Sequence, residues 1–214
     1  KVITKGGQIL LVAENSTVQI SGVIESTGEE GGNIHLLGKT IAIDDAQINA
    51  SGTNNGGEIL IGGDYQGNNP AILNAKKTLI TQRVDIHADS LDNGSGGKVI
   101  LWGDEATSFA GTISAKGGVN GGDGGLIEVS SPCCLVFNGL ADTSAPYGQY
   151  GTLLLDPRNV TIASGGTAGG AFDGGNPNTF TPTGDDAVVN VTTLMTNIGA
   201  TDVVVNTGST GSQA

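Results

Sequence analysis

The sequence predicts an all-β protein, a parallel β-solenoid with three short strands per coil of about 25 residues, and three observations predict it. A Gly-Gly step followed by an alternating strand recurs through most of the chain. Apolar residues alternate with polar ones at a spacing of two, which is the period of a strand and not of a helix. The chain of 214 residues holds 37 glycines and only 4% aromatics, so its core must come from Val, Ile, Leu and Ala, with glycine at tight bends.

The first strand of each repeat follows Gly6-Gly7, Gly31-Gly32, Gly56-Gly57, Gly96-Gly97, Gly124-Gly125 and the single Gly151. These strands begin at positions 8, 33, 58, 98, 126 and 152, so the steps are 25, 25, 40, 28 and 26 residues. One inward ladder reads Ile9, Ile34, Ile59, Val99, Ile127, Leu153, and the next reads Leu11, Leu36, Ile61, Leu101, Val129, Leu155. A repeat that cannot bury its apolar side alone is expected to stack like on like. The second strand is read through Val18/Ile20, Ile41/Ile43, Leu79, Phe109, Leu135/Phe137 and Val160/Ile162. The third carries Ile24, Ile48, Ile86, Ile113 and Ala141 inward, followed by Ser26, Ala50, Ala88, Ala115 and Thr143.

The 40-residue step contains an insertion near 63–77, where Asp64-Tyr65-Gln66-Gly67-Asn68-Asn69-Pro70 reads as a corner loop. It is expected to be a local cap over an exposed side, with a binding loop as the lesser alternative. Residues 1–162 are thus assigned to the repeats and 163–187 to a Gly/Pro/Thr-rich loop. Residues 188–214 are assigned to a further, truncated partial coil, with a short helical turn between Val191 and Ile198. Lys1 is not an initiator Met, and the end at Ala214 has no terminating feature, so a piece of a longer chain is expected.

One outward row is apolar: Leu10, Leu60, Ile100 and Leu154, interrupted by His35 and Glu128, with Trp102 following on the same strand. An apolar outward stripe is usually covered or used. The expectation is that the insertion, the 163–187 loop or a partner chain lies over it. Leu10, Leu60, Ile100, Trp102, Leu154 and Tyr65 are therefore the candidate binding or assembly surface.

A formal net charge of −12, with nine Lys and Arg and no basic cluster, disfavours nucleic acid and anionic lipid as partners. No apolar stretch is long enough for membrane insertion as a helix. The two cysteines, Cys133 and Cys134, are adjacent and give no disulfide framework. Alternation after Pro132 places Cys133 inward as core filler and Cys134 outward as a surface thiol.

Several segments carry a family resemblance. They are Gly62-Gly63-Asp64-Tyr65-Gln66-Gly67, the run from Gly103 to Ala115, Gly121-Gly122-Asp123-Gly124-Gly125 with the strand after it, and the run from Asp142 to Ile162. Together they resemble the filamentous-haemagglutinin-like exoproteins of the two-partner secretion pathway. The resemblance covers roughly positions 50 to 162, and loosely the ending Ser209 to Ala214. It implies a right-handed parallel β-helix, export of the parent chain through an Omp85-type outer-membrane transporter, and display on or release from a Gram-negative-type cell. Adhesion is the usual role in this family. The resemblance transfers no catalytic, cofactor or metal residues.

The chemistry-bearing residues point the same way. Gly121-Gly122-Asp123-Gly124-Gly125-Leu126 is similar to a calcium-binding nonapeptide, but such sites need tandem copies and there is one. Asp44-Asp45, Asp104-Glu105 and Asp185-Asp186 are adjacent pairs, which on a strand point to opposite faces. His35 and His87 lack companions at ligand spacing. No catalytic residue, cofactor or metal is expected. The expected function is a non-enzymatic, secreted structural or adhesive shaft segment of a large bacterial surface exoprotein. Its partners would be a host receptor or glycan, or copies of itself in extracellular fibres. The alternative is a carbohydrate-active β-helix enzyme or glycan-binding module. That alternative would be favoured by outward carboxylates from consecutive repeats clustered in a groove.

Overall fold

The computed structural model describes residues 2–5, 7–157, 161–163, 172–173, 179–180, 188–199 and 202–205. It is all-β apart from a 3-10 turn at Tyr65–Gly67 and one helix, Val191–Ile198. It corrects the expected solenoid of three short strands per coil. Seventeen strand segments join in one sheet whose pairings are parallel, Phe172–Asp173 and Thr179–Phe180 pair separately and antiparallel, and the parallel sheet curls strongly and stays open in the manner of a half-barrel. The reason is visible at the expected corners near the N-terminus. Gln8–Glu30 runs as one strand of 23 residues and Asn33–Asn49 as one of 17, with no break into three pieces. The bends are absorbed as register shifts between Ala13 and Thr17 and between Ile20 and Gly22. Gly22 and Asp45 take positive φ angles of 83° and 52° near these points. Bulges of this kind bend a strand and increase its twist without ending its pairing.

The strand-to-strand register is parallel and regular. Ile9 pairs with Ile34, Ile34 with Ile59, Ile59 with Val99, Val99 with Ile127, and Ile127 with Leu153. From Ile34 to Leu153 every member of this row is fully buried, as are Leu36, Ile61, Leu101, Val129 and Leu155 in the next. Each such side chain stabilises the fold by about 1.5–3 kcal/mol relative to an exposed one. Ile24, Ile48, Ile86, Ile113 and Ala141 fill the same core from the opposite wall. Phe109 and Phe137 stack within it, with ring centroids 5.7 Å apart.

The second strand, read through Leu79 in the third repeat, turns a different residue inward there. In the strand Lys77–Ile80 the buried residues are Thr78 and Ile80, while Leu79 is exposed. Thr78 is tolerated inside because its hydroxyl donates to the Trp102 carbonyl at 2.5 Å. Thr107, its neighbour in the ladder, donates to the Ser130 carbonyl at 2.8 Å. A buried hydroxyl with a partner avoids the desolvation penalty of an orphan.

The glycine pairs act through close approach. A Cβ on Gly57 would overlap the Gly32 carbonyl oxygen on the neighbouring strand. Near the C-terminus, Val188–Asn190 and Asp202–Val205 join the sheet on either side of the helix Val191–Ile198, which buries Leu194. Most of the segment 163–187 and the ending Ser209–Ala214 lie outside the described residues, as do Val160 and Asp185-Asp186.

Candidate functional site

The outward face of the first strands is where the chemistry collects. Alternation places three outward positions on each strand there. In the first, Glu58 pairs with Lys98 and Lys98 with Leu126. In the second, Leu10, His35, Leu60, Ile100, Glu128 and Leu154 follow one another across the sheet. In the third, Trp102, Ser130 and Asp156 are neighbours.

The insertion folds over this face. Leu60, Ile100 and Trp102 form a second, smaller apolar cluster, with Ile72 of the insertion and Leu126 packed against it. Leu154 is buried as well. Three of the six candidate surface residues, Leu60, Ile100 and Trp102, are thus packed in a cluster with the chain's own loop, and a fourth, Leu154, is buried. Leu10, on a strand the loop does not reach, remains 54% exposed, and Tyr65, on the loop, is 44% exposed.

The loop is held by fitted contacts. Gly67, at φ +62°, lies so close to the Trp102 indole that any side chain there would collide with the ring. Trp102 Nε1 donates to Asp104 Oδ1 at 2.7 Å. Asn74 Nδ2 donates to the Gly67 carbonyl at 3.0 Å and to Asp104 Oδ1 at 3.3 Å. Asp64 caps the 3-10 turn by accepting from the Tyr65 N–H, and it also accepts from Asn69 and Lys98. Burial alone would raise the Asp64 pKa, but these donors outweigh it and hold the carboxyl below its ordinary range. Lys98 also pairs with Glu58 at 2.7 Å, and Glu58 with His35 Nε2 at 2.8 Å. The hydrogen bond from His35 is the main cause holding the Glu58 pKa down.

Beneath the loop lies a carboxylate pair. Gln66, in the left-handed region at φ 53°, points its backbone N–H at both Glu128 oxygens, 3.2 and 3.1 Å away. Its side-chain Nε2 donates to Asp156 Oδ2 at 3.0 Å. Glu128 is fully buried and Asp156 nearly so. Burial pushes Glu128 up to about 7, against the hydrogen bonds from Ser130 and Gln66 and with help from the nearby Asp156 and Asp64. Burial likewise pushes Asp156 up to about 6, opposed by Gln66. The Tyr65 hydroxyl is raised by burial and by the same two carboxylates.

Two acids that exchange protons near neutrality are suited to acid–base work. Here they are sealed under Gln66. Two of the other acidic candidates, Asp44 and Glu105, form surface pairs. Asp44 accepts from Thr81 and Arg83, and Glu105 pairs with Lys76. Among the described residues no group of three or more His, Cys, Asp or Glu is arranged to hold a metal ion. Nor is any helix there long and apolar enough to cross a membrane.

Sequence reasoning marked Glu128 only as a gap in an apolar row, and it missed Asp156 and Gln66. The available signal was that gap: an acid in outward register between Ile100 and Leu154, on a face that the insertion was expected to cover. No family model matches the chain, and no curated protein matches it.

Proposed function

We propose that this chain is a non-enzymatic structural and adhesive segment of a large secreted bacterial surface protein, displayed on or released from the cell. The observation that carries the reading is the sealing of Glu128 and Asp156. Among the described residues, the one carboxylate pair on neighbouring strands with proton affinities suited to catalysis is closed to substrate by Gln66. The continuous parallel ladders, with isoleucine stacked on isoleucine, supply a stiff scaffold. The likeness of several segments to filamentous-haemagglutinin-like exoproteins supports secretion of the parent chain through an Omp85-type transporter. On this reading the partner is a host receptor or glycan.

One observation favours a second reading as a carbohydrate-active enzyme. Glu128 and Asp156 come from adjacent strands and share a single cap, so a loop that lifts would present both acids together. A paired assay separates the two. The purified chain is tested for binding to epithelial cells and immobilised glycans, and in parallel for release of reducing ends from acidic and neutral polysaccharides. Binding without cleavage is the expected result. Cleavage that disappears in Glu128→Gln would overturn the structural reading in favour of the enzyme.

A further inference from the structure

We propose that Cys133 and Cys134 form a two-sulfur chelating site for a trivalent, three-coordinate thiophile of the arsenous acid type. Strand alternation predicts that adjacent side chains diverge to opposite faces, yet the two sulfurs lie 3.4 Å apart at the protein surface. Cys133, expected inward, is exposed, Cys134 is half-buried, and the inward position passes to Leu135. The turn that breaks the alternation is built locally. Pro132 precedes the pair, and the backbone N–H groups of Cys133 and Cys134 both point to the hydroxyl oxygen of buried Ser131, at 3.4 and 3.3 Å. The strand then begins at Cys134, in register with Ala106 on its neighbour.

The separation selects the chemistry. A disulfide needs its sulfurs about 2.05 Å apart and its α-carbons at least about 4.4 Å apart, whereas neighbouring α-carbons across a trans peptide are about 3.8 Å apart. The pair therefore favours staying a dithiol. With metal–sulfur bonds of about 2.3 Å, a sulfur separation of 3.4 Å subtends about 95° at the bound atom. A linear two-coordinate ion would need the sulfurs about 4.6 Å apart at the same bond length. Tetrahedral zinc would need further protein ligands, and no group of three or more metal-ligating side chains is present among the described residues. A pyramidal trivalent centre fits the angle and brings its own third ligand. The reaction is an exchange at unchanged oxidation state. Arsenous acid, As(OH)3, and two thiols give (RS)2AsOH and two water molecules: two arsenic–oxygen bonds break, two arsenic–sulfur bonds form, and the thiol protons leave with the displaced hydroxyls.

The chain contains only these two cysteines, so thiol counting is unambiguous. The test uses the intact chain and phenylarsine oxide as probe, read by native mass spectrometry, by titration of free thiols and by gel filtration. One arsenical per monomer is expected, with both thiols lost together, released by 2,3-dimercaptopropanol and retained against a monothiol. Cys133→Ser and Cys134→Ser should each bind about 100-fold more weakly, because the second sulfur acts at high effective concentration. Both substitutions lie at a surface turn, and circular dichroism identical to the parent would establish folding. Equal affinity in a single-cysteine variant, arsenical bridging two chains, or an intramolecular disulfide in the chain isolated without reductant would each overturn the proposal.

Discussion

The two faces of the first strands, built from alternate residues of the same segments, behave as different materials. Inward, Ile34, Ile59, Val99, Ile127 and Leu153 form one uninterrupted apolar row. Outward, the parallel row runs from exposed Leu10 through buried Leu60 and Ile100 to the buried acid Glu128. The inner row is covered by strands brought together by the sheet's own curl. The inserted loop covers the outer row at Leu60, Ile100 and Glu128, where it offers Ile72 at one end and the polar Gln66 at the other. A core made by the fold is uniform; a core made by a loop takes its character from the loop.

The largest break in that comparison comes from the interior. Phe109→Ala removes a fully buried ring and its stack on Phe137, and it should lower global stability by about 4 kcal/mol. A shift in the midpoint of urea unfolding at unchanged slope is the check. Trp102→Ala attacks the outer face. Taken as a core truncation it should cost about 3 kcal/mol, but the loop can lift in place of global unfolding. The expected signature is therefore rapid proteolytic cutting within 65–74 with a smaller movement of the unfolding midpoint. Equal protection of the loop in parent and variant would show that Trp102 is not its anchor.

The inner face was largely legible in the sequence, because alternation with aliphatic side chains is a signal repeated along the chain. It failed where the signal was thin. In Lys77-Thr78-Leu79-Ile80 the hydrophobic Leu79 drew the assignment, although the inward place belongs to Thr78, whose hydroxyl has a long-range partner that no local pattern reveals. The uninterrupted run of Gln8–Glu30 was hidden for a related reason: a bulge keeps the pairing while it bends the strand, so residues that look like a corner need not end one. The acidic pair was the least legible. Glu128 and Asp156 are 28 residues apart in sequence, Gln66 lies 62 and 90 residues from them, and only the folded loop joins the three.

The outer face should carry a pH dependence that the inner face lacks. The folded-state pKa of Glu128, about 7, lies above its ordinary value of 4.5. The native state therefore holds its proton more tightly than the unfolded chain does. Stability is greatest below the ordinary value and falls as pH rises toward the folded value, levelling off above it. For Glu128 this amounts to a loss on the order of 2 kcal/mol between pH 5 and pH 8, felt first as loop opening. Asp156, raised to about 6, adds a loss of the same sign over a lower window. Hydrogen exchange of the loop amides across that range is the measurement. Glu128→Gln keeps an acceptor for the Gln66 N–H without the charge, and it should flatten most of the slope. A slope of equal size in that variant would place the titration elsewhere.

The smallest effect isolates the strap itself. Gln66→Ala removes the amide that donates to Asp156 Oδ2 but leaves the backbone N–H on Glu128 in place. It should lower loop protection by roughly 1–3 kcal/mol, the range for a buried acceptor that loses its donor. Gln66 also sits at φ 53°, a region in which a non-glycine residue is strained. Gln66→Gly therefore loses the same amide but relieves the backbone, and it should come out closer to the parent than alanine does. The difference between the two variants, read by hydrogen exchange at pH 5, where Glu128 is largely protonated, measures the strain without the charge. If glycine and alanine are equally destabilising, the left-handed turn carries no strain. The loop is then held by its apolar end at Trp102, with the acidic end merely covered.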